Sequence, residues 1–321
     1  RSLQSDGKRT APCEGGKRYL KKSLEHFLPE RVERYEFIQK QADEHTVKDL
    51  CAAMKIRRSS YYAWKRRKPG AQAIEDELMK RMIEPVFKES KRTYGSRRIK
   101  ASLEQAGIKT SRRRVSRLMK AAGMVPKQVE KWHPQTTKAD EKHEKAPNLL
   151  DQDFTAEHPD QKWVVDITYI ATKEGWLYLA VILDLYSRAV VGWSMQSRMS
   201  KALVIAAWEM ACAWRHPPEE LLHHSDQGSQ YTSKAYLELL RDQKCRISMS
   251  GKGNCYDNTC MESFFSSLKI ECADSVYNNR EEARLSIFEY IEAWYNRKRL
   301  HSTLGYLNPL AYEDIRGARV Q

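Results

Sequence analysis

Lys162-Trp163-Val164-Val165-Asp166-Ile167-Thr168-Tyr169-Ile170 places one carboxylate inside an apolar run with strand alternation. Trp163, Val165, Ile167 and Tyr169 alternate on one side; Val164 and Ile170 flank the acid on the other. A carboxylate on a strand that is apolar on both faces is costly to bury unless it is paired or bound to metal. Asp226 follows a second apolar segment, Leu221-Leu222-His223-His224-Ser225, and opens the turn Asp226-Gln227-Gly228. Glu262 lies in a helical pattern, with Phe265, Ser266 and Lys269 on its face at i+3, i+4 and i+7. Two acids on strands and one on a helix can converge on a divalent cation, which takes hard oxygen ligands.

Working outward from Asp166, the pattern alternates strands and helices. Lys162–Thr172, Trp176–Asp184 and Arg188–Met195 read as three antiparallel strands, the first two joined by a turn at Lys173-Glu174-Gly175. Then follow a helix over Ser200–Trp214, a strand over Leu221–Ser225, a helix over Ser233–Leu240 and a strand over Arg246–Ser250. Helices over Asn258–Glu271 and Glu281–Tyr295 close the order. A meander followed by helical crossovers predicts an α/β domain, a mixed five-stranded sheet flanked by helices.

Charge divides the chain. Residues 1–150 hold 37 Lys and Arg against 19 Asp and Glu; residues 151–321 hold 19 against 23. A basic half joined to a mildly acidic half points to a polyanion-binding module attached to something else. No apolar run approaches the ~20 residues of a membrane span. The N-terminus is polar and lacks the apolar segment of a secretory leader. Seven cysteines without regular spacing favour free thiols and a reducing, cytoplasmic setting.

The basic half is patterned as helices. Thr46 caps a segment carrying Val47, Leu50 and Cys51, a break follows at Met54-Lys55-Ile56, and a second helix runs over Ser59–Lys68. Its candidate DNA contacts are Tyr61, Tyr62, Arg66 and Arg67. A second such unit turns at Gly107 and is capped by Ser111; Val115, Leu118 and Met119 form its buried stripe. Arg112, Arg113, Arg114 and Arg117 lie off that stripe, placed for phosphates or guanine edges. The predicted organisation is an arm or junction (1–30), a helix-turn-helix (31–70), a second one (71–125), a proline-containing linker (126–160), the catalytic α/β core (161–273) and a C-terminal helical extension (274–321).

Each acid has a bland alternative, and for Asp166 it is a strand-end acid paired with a Lys or Arg. Asp-Gln-Gly is ordinary turn chemistry. Thr259 and Glu262 have capping-box spacing. Asp184, Asp257 and Glu271 compete for the place of third acid, and His224 and Asn258 stand as outer-shell partners.

Four blocks decide between these readings. They are Gln161-Lys162-Trp163-Val164-Val165-Asp166-Ile167-Thr168-Tyr169; His224-Ser225-Asp226-Gln227-Gly228-Ser229-Gln230-Tyr231; Asn254–Asn258 with Glu262-Ser263-Phe264-Phe265 and Leu268-Lys269; and Tyr295-Asn296-Arg297 through His301 to Leu304-Gly305-Tyr306. Together they resemble the catalytic domain of insertion-sequence transposases related to retroviral integrases, and within that class the IS-three family. The resemblance implies a ribonuclease-H-like fold. It implies a catalytic and metal-binding triad of Asp166, Asp226 and Glu262, with two Mg²⁺ ions for which Mn²⁺ substitutes. Lys269 is then expected to contact DNA from the Glu262 face, about 10.5 Å along the helix. The implied function is metal-dependent 3′-end cleavage and strand transfer on double-stranded DNA, at terminal inverted repeats and a target. The implied setting is a homo-oligomer in the bacterial cytoplasm, at the nucleoid. The alternatives are a nuclease of the same fold, such as a junction resolvase, and a non-catalytic DNA-binding regulator.

Overall fold

The computed structural model describes residues 30–67, 70–127, 146–251 and 258–317. Residues 1–29 of the predicted arm, 128–145 of the linker, Lys68, Cys255 and Asp257 lie outside the described residues. The chain divides into two compact units, Arg1–Asp76 and Glu77–Gln321.

The first unit contains α1 (Arg31–Lys40), α2 (Val47–Ala53) and α3 (Arg58–Lys65). Thr46 caps α2 as expected, its hydroxyl accepting from the Asp49 amide. The break is real: Lys55 has φ +54° between α2 and α3. Tyr35, Ile38, Leu50, Cys51, Met54 and Tyr61 form the core, with Phe37, Val47, Ile56 and Trp64 packed against it. The Trp64 ring stacks on Tyr35 at 5.3 Å.

A long helix, α4 (Ala71–Glu89), carries the division between the units. The second helix-turn-helix is α5 (Ser96–Gln105) and α6 (Arg112–Ala121), with Gly107 at φ +80° in the turn and the Ser111 hydroxyl capping α6 at the Arg114 amide. This pair shares its core with the sheet domain. Met79, Ile83, Phe87, Ile99, Leu103, Val115 and Leu118 join one apolar cluster with Val164, Leu179, Phe264, Leu268 and Ile287. Polar ties reinforce the union: the Leu300 amide donates to the Tyr94 hydroxyl at 2.7 Å, and Arg98 and Gln105 donate to the Leu300 and Tyr306 carbonyls. The compact body therefore runs from Glu77, within α4, onward, across the predicted boundary at 125.

The sheet has strand order β3-β2-β1-β4-β5. β1 (Lys162–Thr172) and β2 (Gly175–Asp184) are antiparallel, as are β2 and β3 (Val190–Gln196). β4 (Leu222–Ser225) and β5 (Arg246–Met249) add in parallel. Helices α7 (Lys201–Arg215) and α8 (Lys234–Asp242) are the crossovers. The predicted mixed five-stranded sheet flanked by helices is thus present.

The two faces of β1 separate cleanly. Trp163 and Val165 pack with Ala207, Trp208 and Tyr236 from α7 and α8. Val164 and Ile170 pack with Met261, Phe264 and Leu268 of α9 (Thr259–Glu271). Each such fully buried side chain contributes roughly 1.5–3 kcal/mol. Helix α7 approaches β3 closely because Gly192 has no side chain: a Cβ there would lie 2.4 Å from the Ala207 carbonyl oxygen.

The helix expected over Glu281–Tyr295 differs from the prediction. It is α-helical as α10 (Arg280–Glu289) and widens to a π-helix over Tyr290–Tyr295. Tyr290, Ile291, Trp294 and Tyr295 are all buried, and the Tyr290 hydroxyl and Trp294 indole both donate to Glu271 Oε2. Asn296 then clamps edge strand β3, its amide exchanging two 2.9 Å hydrogen bonds with the Val190 backbone. The last helix, α11 (Pro309–Gly317), is held by Arg215, which pairs with both Asp160 and Glu313.

Candidate active site

Parallel pairing of β1 with β4 builds the acidic centre. Val164 lies opposite His224, and Asp166 and Asp226 each stand two residues further along. A parallel register carried forward sets the two side by side on the α9 face. Asp226 opens a turn because Gly228 closes it: the Gly228 amide donates to Asp226 Oδ1 at 2.8 Å. Asp166 Oδ1 accepts from the Ile167 amide at 2.7 Å.

Both carboxylates are half-buried and dehydrated. Dehydration pushes the Asp166 carboxyl up to about 8; the Asp226 charge pushes the same way, the Ile167 hydrogen bond opposes it, and Glu262 and Lys269 add smaller opposite effects. Dehydration also raises Asp226, against the Gly228 hydrogen bond. The charges of Glu262 and Lys269, both on α9, thus reach Asp166. Glu262 is exposed; Lys269 is half-buried, its ammonium 5.1 Å from the Tyr169 ring centroid.

Two competitors for the third acid, Asp184 and Glu271, have other work. Asp184 accepts from the Asp160 amide and from the Ser187 amide and hydroxyl, closing the turn after β2. Glu271 is buried against Arg299 at 2.9 Å. Nor does Glu262 belong to a capping box, because Thr259 is already the first helical residue and Asn258 holds the N-cap position. The Asn258 side-chain oxygen is buried with no hydrogen-bond donor among the described residues. His224 is buried, its Nδ1 sharing a 2.8 Å hydrogen bond with Ser248 on β5.

The donor chemistry suits a hard divalent cation: two dehydrated carboxyls whose charges repel each other. Among the described residues, each aspartate accepts a single hydrogen bond, on Oδ1, which leaves Oδ2 for a ligand. Among the same residues, no three His, Cys, Asp or Glu side chains are gathered tightly enough to enclose an ion. Mg²⁺ commonly takes one or two carboxylates and completes its shell with substrate phosphate and water.

Three site features escaped the sequence reading: the Gly228 amide on Asp226, the Tyr169 ring beneath Lys269, and Tyr231. The last is fully buried and senses both aspartates. Its place in the Asp226 block was the available signal.

On the basic helices, Arg112, Arg113 and Arg117 are exposed and Arg114 is half-buried. Tyr62 is 43% exposed and Arg67 is exposed; the Arg66 guanidinium donates back to the Tyr62 carbonyl. Tyr61 is corrected: it is wholly buried against Tyr35 and Trp64, so it builds the core and cannot reach DNA. Among the described residues no helix is long and apolar enough to cross a membrane.

Known proteins resemble the chain along most of its length. Two Integrase core domain models match residues 156–255 and 243–309, and an HTH-like domain model matches residues 73–132. The Shigella sonnei "Insertion element IS600 uncharacterized 31 kDa protein" is 42% identical over 266 residues, 83% of this chain and 97% of that one. The Escherichia coli K12 "Transposase InsF for insertion sequence IS3A" is 40% identical over 286 residues, 88% of this chain and 98% of its own. The HTLV-2 integrase catalytic core, solved in complex with magnesium, aligns with half of this chain and 99% of its own at 16% identity and a TM-score of 0.36, too loose to bear further weight.

Proposed function

The chain belongs to the family of insertion-sequence IS3 transposases, a family of enzymes that move DNA, and on that premise we propose that Asp166, Asp226 and Glu262 carry its chemistry. The observation that supports this reading is that Asp166 and Asp226 each stand two residues beyond Val164 and His224, which pair across the parallel strands, and that both are dehydrated. These residues would hold two Mg²⁺ ions, with Mn²⁺ able to substitute. Bound there, the ions would supply positive charge to the attacking and leaving oxygens of a phosphodiester and acidify a water.

The reaction has two steps. Water attacks the phosphodiester at the element's 3′ end and frees a 3′-hydroxyl. That hydroxyl then attacks a second phosphodiester in line, loses its proton, joins the strands and displaces the attacked strand's own 3′-oxygen, which leaves as a new 3′-hydroxyl. No protein nucleophile takes part, so the protein contributes positioning and charge. Asp166 and Asp226 would act on the reacting phosphate through the cations they hold, since bare carboxylates repel it. Lys269, on the Glu262 face, neutralises a phosphate of the terminal nucleotides. Asn258 and His224 support the carboxylates from behind.

DNA enters through the basic helices. Arg112, Arg113, Arg114 and Arg117 on α6, and Tyr62, Arg66 and Arg67 at the end of α3, contact the terminal inverted repeat. Two ends must be held at once, so the working form is a homo-oligomer on DNA, in the bacterial cytoplasm at the nucleoid.

A strand-transfer assay tests the reading, using a supercoiled target, an element-end duplex and Mg²⁺ or Mn²⁺. Joined products are expected. Cleavage without joining assigns the chain to a nuclease, and a mobility shift without either assigns it to a regulator.

A further inference from the structure

Lysine is a poor candidate for a precisely placed charge. Its four-carbon stem carries about 2 kcal/mol of rotamer entropy, and its ammonium has no preferred plane. Lys269 is nonetheless constrained. It is half-buried on α9, and its ammonium lies 5.1 Å from the centroid of the Tyr169 ring. That distance is within the range at which a cation is attracted to the face of an aromatic ring. Asp166 is near enough to Lys269 for its charge to be felt.

The ring is itself fixed. Tyr169 stands three residues beyond Asp166 on β1, and the indole of Trp176 meets it edge-on, centroids 4.9 Å apart and planes at 77°. Trp176 belongs to the start of β2, paired with Ala171 of β1. The hairpin between these strands is pinned from α10. Arg280 donates to the carbonyls of Glu174 and Trp176, its own amide donates to the Glu174 carboxylate, and the Lys173 amide donates to the Tyr277 carbonyl. The acid and the aromatic ring therefore share one strand, and the lysine is held against that strand by a ring whose position does not depend on DNA.

The geometry points to Tyr169 as a positioning residue: its ring face holds the Lys269 ammonium beside the Asp166 carboxylate before DNA binds. In this role the ring acts on the DNA end only through Lys269. It restricts the lysine to the rotamers that serve the DNA end, so the entropy of ordering that side chain is lost on folding and not on binding. The electrostatic face of the ring matters here, not its hydroxyl. The inference rests on the reading of Lys269 as a DNA-phosphate contact.

A double-mutant cycle on the full chain tests it, with initial strand-transfer rates measured at limiting DNA. Tyr169→Leu should lower the rate by about 2- to 30-fold, the range of a cation–π contact. Tyr169→Phe keeps the ring and should restore the rate lost in Tyr169→Leu. In a Lys269→Met background, Tyr169→Leu should cost nothing further. An equal cost in both backgrounds would mean that the ring serves only the fold, and the inference would be wrong. No effect of Lys269→Met alone would remove the phosphate contact, and the inference with it. Should Tyr169→Leu fail to fold, fluorinated phenylalanines at position 169 keep the ring's shape while draining charge from its face. Rates should then fall with each added fluorine when Lys269 is present and stay level in Lys269→Met. A level response in both would overturn the proposal.

Discussion

The Gly228 amide donates to Asp226 Oδ1 at 2.8 Å, and a Cβ built on Gly228 would stand 2.9 Å from that same oxygen. The backbone thus approaches the carboxylate as closely as a hydrogen bond allows, which leaves no room for a methyl group. Gly228→Ala must rotate or displace the Asp226 side chain. We expect at least a 10-fold fall in strand transfer, equivalent to about 1.4 kcal/mol. DNA affinity in a mobility shift should be unchanged. Wild-type strand transfer in Gly228→Ala would show that Asp226 need not hold this orientation.

Asp166→Asn and Asp226→Asn each retain size and remove an anionic oxygen. Both should abolish cleavage and joining while leaving DNA binding largely intact. Wild-type protein stripped with a chelator should lose the same steps and regain them with Mg²⁺ or Mn²⁺. Thermal melts with and without Mg²⁺ give a second readout: an ion that binds the folded state raises its melting temperature. That increment should shrink in both variants, and an undiminished increment would move the ion elsewhere.

Neighbouring tyrosines on α3 should behave in opposite ways. Tyr61→Ala removes a wholly buried ring and should destabilise the first unit by about 3–5 kcal/mol. Tyr62→Ala alters an exposed side chain and should change stability by no more than about 0.5 kcal/mol. Only Tyr62→Ala should weaken DNA binding in a protein that still melts normally. Chemical unfolding alongside binding isotherms separates the two effects.

Glu271 and Arg299 form a buried ion pair to which Tyr290 and Trp294 also donate. Arg299→Met leaves the carboxylate without its charge partner and should cost about 3–5 kcal/mol. Adding Glu271→Gln removes the stranded charge while keeping an acceptor for the two aromatic donors, and should recover part of that loss. Urea unfolding midpoints of the single and double variants provide the check. A double variant no more stable than Arg299→Met would show that the cost is lost packing.

The elements that could be read from sequence are those fixed by local rules. β1 was legible because alternation around Asp166 persists for a whole strand, and its bounds, Lys162–Thr172, are those observed. The Thr46 and Ser111 caps were legible because capping spans only three residues. What escaped depends on distant partners. Tyr61 and Tyr62 are adjacent and chemically alike, and only the position of Tyr35 and Trp64 selects the one that turns inward. The π-helix at Tyr290–Tyr295 has no local signature, since its inward aromatics answer to Glu271, about twenty residues back. The bond from Arg98 to Leu300 spans 202 residues, beyond the reach of any periodicity.

The apolar cluster that α5 and α6 share with the sheet has a consequence for how such enzymes diversify. A reader of DNA that hangs on a tether can be exchanged between relatives like a tool head. The α5–α6 pair cannot, because its inward residues complete the interior in which α9 is seated. A chimera joined near residue 125 would bring two half-interiors shaped for other partners. One joined upstream of Glu77 would leave that interior whole. Under the role proposed for α6, changes in end recognition are expected at its outward arginines, while its inward face stays committed to the interior it completes.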